Sequence, residues 1–252
     1  MRMEARFFIN EEISLPYDLN YLISSYLLRC IKQADPGLAD WLHNEGIAFQ
    51  RRSYKPLVFS RPRFECRNNL RACMKVKGML TFKADSIYPE IIRRLVEGIR
   101  SLGNLQLADA KIPLVDVQLE EPKRFSETMS YIALSPIVVP IQREKKLHYC
   151  HPLESPFYDG LRRSIRNWYA IRWGEELPQE VNIHISLIDP AAFNLNKAAV
   201  LVKYKDKNIK GYQIPLTIDA PPKVQEVIYQ SGLGSYGSQG FGMVEIIHKK
   251  QG

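Results

Sequence analysis

Cysteine is scarce in this 252-residue chain and scattered along it. The four residues, Cys30, Cys66, Cys73 and Cys150, contain no C-x-x-C pair. With His43, His148, His151, His184 and His248 they offer no zinc spacing. Cys150 and His151 are neighbours, but adjacent residues rarely ligate one ion. The expectation is reduced thiols, a cytoplasmic protein, no structural metal and no cofactor. No run of about 18 apolar residues occurs, so no membrane partner is expected. The opening Met1-Arg2-Met3-Glu4-Ala5-Arg6 is not a signal peptide. Low-complexity segments and clear internal repeats are also missing. Acidic residues are the minority: 35 Lys and Arg against 27 Asp and Glu leave a net charge of +8. That excess favours a polyanionic partner and says nothing about fold. The 45% apolar share suits a folded globular protein, and the length allows one large domain or two ordinary ones.

Arg6 to Ile9 reads as a central strand, and Leu19 to Ala34 has helical apolar spacing. Asp35-Pro36-Gly37 breaks that helix, and Leu38 to His43 makes a short second one with Pro36 in its first turn. His43 and Gly46 then mark a helix end. Leu57 to Ser60 reads as a strand. Met74 to Lys77 and Leu80 to Lys83 alternate apolar and basic residues, so one strand face is positive. Ile87 to Leu102 is an amphipathic helix with Ile91, Ile92, Leu95, Val96 and Ile99 inward, and Pro113 to Leu119 is a strand. The first half is therefore β-α-β-β-α-β, the ferredoxin-like order, with a boundary near Pro122. Met129 to Ile141 (strand), Phe157 to Trp173 (helix), Val181 to Ile188 (strand), a basic hairpin of Ala198 to Tyr204 and Lys210 to Ile214, Val224 to Tyr229 (helix) and Phe241 to His248 (strand) repeat it. The fold class expected is α+β, two tandem ferredoxin-like (βαββαβ) domains, residues 1–122 and 123–252, with a C-terminal glycine-rich loop.

Gly232-Leu233-Gly234-Ser235-Tyr236-Gly237-Ser238-Gln239-Gly240-Phe241-Gly242 holds five glycines in eleven residues. Such a tract has little with which to fill a core, and its bare N–H groups suit a phosphate-rich ligand. Its G-x-G-x-x-G is not a dinucleotide fingerprint, because a helix precedes it and a strand follows. The order helix, glycine loop, S-Q-G-F-G-M-V strand resembles the C-terminal signature of the CRISPR-associated (Cas) endoribonucleases that process repeat RNA, within the repeat-associated (RAMP) RNA-binding superfamily. Leu134-Ser135-Pro136-Ile137-Val138-Val139 resembles the strand that opens the family's second domain. Ala39-Asp40-Trp41-Leu42-His43 with Gly46 resembles the place where many members carry a catalytic histidine.

The resemblance implies metal-independent cleavage of a CRISPR repeat by the ribose 2′-OH, leaving a 2′,3′-cyclic phosphate and a 5′-OH. A binding-only relative, or a structural subunit of an RNA-guided complex, is the alternative. His43 would serve as base or acid, and Lys55, leading Lys55-Pro56-Leu57-Val58-Phe59-Ser60, as the cation, with Arg51 and Arg52 in reserve. Some members carry a tyrosine on the first helix. Alignment puts Leu28 there, with Tyr26 about 200° round the helix, so either Tyr26 reaches the site or no tyrosine takes part. RNA would be held by Gly232, Gly234, Ser235, Gly237, Ser238, Gln239, Gly240 and Gly242. Lys203, Lys205, Lys207 and Lys210 of the basic hairpin, with Arg162, Arg163 and Arg166, would contact phosphates, and Tyr204, Tyr212 or Tyr236 would stack on bases. Repeat RNA is the expected partner, with other CRISPR-associated subunits and a second copy of the chain as further ones.

Overall fold

A computed structural model describes residues 1–247. It divides into two compact units. One comprises Met1–Pro122 together with Ser238–Gly240, and the other comprises Lys123–Gly237 with residues 241–247.

The first unit is built on the strand Met3–Leu15, which is longer than the short apolar run suggested. Met3, Ala5, Phe7 and Ile9 alternate inward and are buried, while Glu4, Arg6 and Phe8 occupy the other face. Antiparallel neighbours flank it, Met74–Asp85 on one side and Ala110–Leu119 on the other. Across the sheet the order is Val58–Phe59, Met74–Asp85, Met3–Leu15, Ala110–Leu119, Asn104–Leu107. Its first four members stand second, third, first and fourth in the βαββαβ chain order, which is the ferredoxin-like arrangement. Helices Asn20–Ala34 and Pro89–Leu102 supply the apolar layer. The five inward residues expected of the second helix are all buried. Its Gly98 lies where a Cβ would sit 1.8 Å from the Cys30 carbonyl oxygen, so the two helices approach backbone to backbone. The positive strand face exists, with Lys75, Lys77 and Lys83 opposite buried Met74, Val76 and Phe82. Lys75 is paired with Glu12 and Lys83 with Glu120, so part of that charge is neutralised.

The second unit repeats the topology. Its sheet runs His184–Leu187, Pro215–Asp219, Thr128–Ala133, Val244–Ile246, again second, third, first, fourth. Helices Ser155–Trp173 and Pro222–Ser231 accompany it. Three details differ from expectation. The strand drawn from Met129 to Ile141 ends at Ala133; Pro136 just beyond it lacks the N–H a ladder needs, and a separate strand begins at Pro140. Pro215–Asp219 is a central strand that no sequence signal marked. The last strand is Val244–Ile246 rather than Phe241 to His248. Phe241 to Met243 belong to the glycine turn, and His248 lies outside the described residues.

Candidate functional site

The short helix Pro36–Asp40 is capped by the Asp35 side chain, which accepts from the Leu38 amide at 2.9 Å. It widens into a single π turn, Trp41–Glu45, that carries an exposed His43. Gly46 ends the turn at φ 68°, with a Cβ there only 2.5 Å from the Tyr54 carbonyl oxygen. The chain then forms a hairpin, Ile47–Phe49 against Arg52–Tyr54, turning at Gln50 and Arg51, both with positive φ. This hairpin occupies the long span between His43 and Lys55. It returns Lys55 to the helix end, where the ammonium donates to the Leu42 carbonyl at 2.7 Å and to the His43 carbonyl. Carbonyls at a helix C-terminus lack intrahelical partners and sit at the negative end of the dipole, so a lysine there is favourable. Burial pulls the Lys55 pKa below the ordinary lysine value. Arg51 and Arg52 are exposed on the hairpin.

Tyr26 does not join this group. It is 2% exposed, its ring edge-on to Phe7 in the core. The hydroxyl makes no hydrogen bond of ordinary geometry. Burial pushes its pKa up and that of neighbouring Cys30 up to about 12. A phenol held in that layer cannot touch a substrate.

The glycine tract is packed rather than open: none of residues 232 to 242 is exposed. In the second unit its ends are pinned to the segment Leu134 to Val139. The amides of Gly242 and Ser235 donate to the carbonyls of Pro136 and Val138 at 2.9 and 2.8 Å, and Leu134 N–H donates to Met243 O at 2.8 Å. Leu233 N–H bonds the Gly242 carbonyl at 2.8 Å, and Met243 N–H bonds Ser135 Oγ at 2.9 Å. A Cβ on Gly242 would lie 2.1 Å from the Leu233 oxygen, and one on Gly234 2.4 Å from the Val138 oxygen. These glycines permit backbone-to-backbone packing, and the amides of Gly232, Ser235 and Gly242 are already committed internally. Those three amides are therefore not free to cradle a phosphate, which corrects the expectation for Gly232, Ser235 and Gly242. Ser238–Gly240 belongs to the first unit. There Asn20 Nδ2 donates to the carbonyls of Gln239 and Gly240, both at 2.9 Å, and Ser24 Oγ to that of Ser238.

Of the expected phosphate ligands, Arg166 is also structural. Its guanidinium binds the carbonyls of Leu177, Pro178 and Val181 at 2.6–3.1 Å and leans on that of Gln179. Arg162 pairs with Asp159 on the surface at 2.7 Å. Tyr212 is buried and unavailable for stacking, while Tyr204 and Tyr236 are partly exposed. The hairpin Ala199–Tyr204/Lys207–Tyr212 turns Val202 and Ile209 inward and leaves Leu201, Lys203, Lys205, Lys207 and Lys210 exposed.

A family model described as CRISPR associated protein Cas6, C-terminal, matches residues 119–246. The chain belongs to the Cas6 family. The match contains both motifs that these hydrogen bonds join, Leu134 to Val139 and the glycine tract. The CRISPR-associated endoribonuclease Cas6 of Pyrococcus furiosus is 24% identical over 235 residues, covering 92% of this chain and 83% of that protein. A CRISPR-associated endoribonuclease Cas6 of Methanocaldococcus jannaschii is 22% identical, covering 99% and 94%. Among solved structures, the product of a Cas6-related gene from Pyrococcus furiosus superposes with TM-score 0.83 at 23% identity, over 99% of both chains. These likenesses extend the Cas6 fold over the whole chain.

Two features of this Cas6 chain have no clear signal in its sequence. The Ile47–Tyr54 hairpin is too short and too polar for periodicity to register. A cleft lined by Tyr17, Asn20, Arg61 and Arg67 was visible only as scattered basic residues. Burial, and then the nearby Arg67 charge, lower the Arg61 pKa.

Proposed function

We propose that this protein is an endoribonuclease that cleaves CRISPR repeat RNA, with His43 and Lys55 carrying the chemistry. The observation that supports the pair is the Lys55 ammonium on the carbonyls of the turn that bears His43. In the reaction the ribose 2′-oxygen forms a bond to the adjacent phosphorus, and the bond from phosphorus to the 5′-oxygen breaks. The 2′-OH proton leaves to a base, and the departing 5′-oxygen takes up a proton. His43 is exposed and is a side chain that can take either part near neutral pH. Lys55 commits two of its three N–H donors to carbonyls, and the third is left for the negative charge that builds on the phosphate. The products are a 2′,3′-cyclic phosphate and a 5′-OH, and the scheme needs no metal. Phosphates along the strand fall to Lys203, Lys205, Lys207 and Arg162, with Arg52 near the scissile end. Tyr26 has no part.

The test is an end-labelled CRISPR repeat from the source genome, incubated in EDTA beside a copy with one 2′-deoxy at the scissile position. Cutting of the all-RNA strand alone, at one site, supports the reading. Tight binding without cutting supports the second reading, a repeat-binding protein that does not cleave, which the loss of Tyr26 from the site favours. Gel filtration with product RNA distinguishes a 29.1 kDa protomer from a homodimer, and adding other CRISPR-associated subunits tests retention in a larger complex.

A further inference from the structure

In the second unit, the hairpin Pro140–Arg143/Lys146–Tyr149 leads directly to the start of the helix Ser155–Trp173. His148 lies on its return strand, opposite Ile141. Cys150 follows; its amide bonds the Val139 carbonyl at 2.9 Å and its side chain is fully buried. Glu154 is the N-cap residue of the helix. Its carboxylate oxygens lie 3.0 and 3.1 Å from His148 Nε2, and one accepts from the His151 amide at 2.8 Å. One ligand atom from each of His148, Cys150 and Glu154 falls within 4.8 Å of the others.

We propose that His148, Cys150 and Glu154 bind a thiophilic divalent cation, zinc being the best match, which ties the hairpin to the helix start. A tetrahedral zinc with these donors holds its ligand atoms about 3.4 Å apart, so the cluster needs an inward shift on the order of 1 Å. A thiolate beside an imidazole selects zinc over magnesium or calcium. On binding, the Cys150 thiol loses its proton to solvent, and the His148 hydrogen moves to Nδ1 so that Nε2 can coordinate. His151 Nε2 also lies 3.8 Å from a Glu154 oxygen, but its Nδ1 accepts from the Leu153 amide at 3.2 Å, which leaves the hydrogen on Nε2 and makes it a neighbour of the site rather than a ligand. The fourth position falls to water. Arg143 sits 3.5 Å from Glu154; its own side chain is exposed and long, so at that distance it is a weak competitor for the carboxylate. Cys150 and His151 are neighbours, and neighbours rarely share an ion. The fold selects a different set, H-x-C-x-x-x-E.

The test uses the full chain with Cys66→Ser and Cys73→Ser, which removes the thiols that are not fully buried. Co2+ is titrated, then displaced with Zn2+. The expected result is a thiolate-to-cobalt absorption band saturating at one ion per chain, absent in Cys150→Ser. Affinity should fall by about tenfold or more in His148→Gln and Glu154→Gln. His148 lies at the partly exposed edge, so its variant keeps the test valid if Cys150→Ser fails to fold. No band in the parent, a band that survives Cys150→Ser, or unchanged affinity in His148→Gln overturns the proposal. Cleavage in EDTA is read separately, so neither proposal's failure carries the other with it.

Discussion

Replacing Gly240 with alanine separates two explanations of the glycine tract. If the tract is packed, Gly240→Ala costs more stability than its backbone conformation alone; if it is an open phosphate cradle, the change costs RNA affinity and only that conformational term. Gly240 sits at φ 85°, and a Cβ there would lie 2.6 Å from the Phe59 ring and 2.7 Å from Asn20 Nδ2. The left-handed conformation alone costs an alanine about 1–2 kcal/mol. Phe59 is 1% exposed and cannot retreat, so overpacking adds about 1–3 kcal/mol. Pushing Asn20 aside threatens its two bonds to Gln239 and Gly240, each contributing about 1 kcal/mol. The total is about 2–5 kcal/mol from conformation and overpacking, rising to ~7 kcal/mol if both bonds are lost, a large share of the ~5–15 kcal/mol that holds a domain. Gly103→Ala is the control. It lies in the same unit at φ 63° with nothing within 4 Å of its Cβ, so only the conformational cost of about 1–2 kcal/mol applies. Urea melts of both variants measure the difference. A Gly240→Ala loss no larger than that of Gly103→Ala would refute the packing argument, the more so if the variant also binds RNA poorly.

His43→Ala should lose cleavage by about 10²–10⁴-fold with an unchanged thermal melt, because the side chain is exposed. The Lys55 pKa is lowered by burial, so its charge is lost at a lower pH than an ordinary lysine's ~10.4. The cleavage rate should fall on the alkaline side below that value, and Lys55→Arg should move the limb upward; folding stability instead rises with pH between the folded and unfolded values, where the unfolded chain binds more protons. Arg166→Ala should destabilise the second unit by about 2–3 kcal/mol and leave RNA affinity unchanged, whereas Lys207→Ala should weaken RNA binding and lower its salt dependence by about one phosphate contact; a reversed pattern would return Arg166 to the RNA surface. Tyr26→Phe should cleave at the parent rate and fold at least as well, since the hydroxyl it removes is buried without a hydrogen bond of ordinary geometry; a large rate loss would put a phenol back in the reaction.

The sequence determined the fold class. Local period and capping carry that information: the 3.6-residue spacing of Ile91, Ile92, Leu95, Val96 and Ile99, the break at Asp35-Pro36, the alternation around Val76. The family was also legible, because the glycine tract and the Leu134 to Val139 segment are contiguous strings. What glycine was for was not legible. Freedom of the backbone and absence of a Cβ look the same in sequence, and only Val138, Leu233 and Phe59 lying against Gly234, Gly242 and Gly240 show that the missing Cβ matters as well as the positive φ that all three adopt. The strand Pro215–Asp219 was missed for a similar reason, since its place at the sheet centre is fixed by two partners distant in sequence, His184–Leu187 and Thr128–Ala133. Burial decided the remaining residues. Tyr26 and Arg166 carry functional groups suited to chemistry and phosphate binding, but one is enclosed by the core and the other spent on loop carbonyls. His148, Cys150 and Glu154 became a cluster only when the hairpin turned back on the helix, a long-range event that no spacing rule encodes.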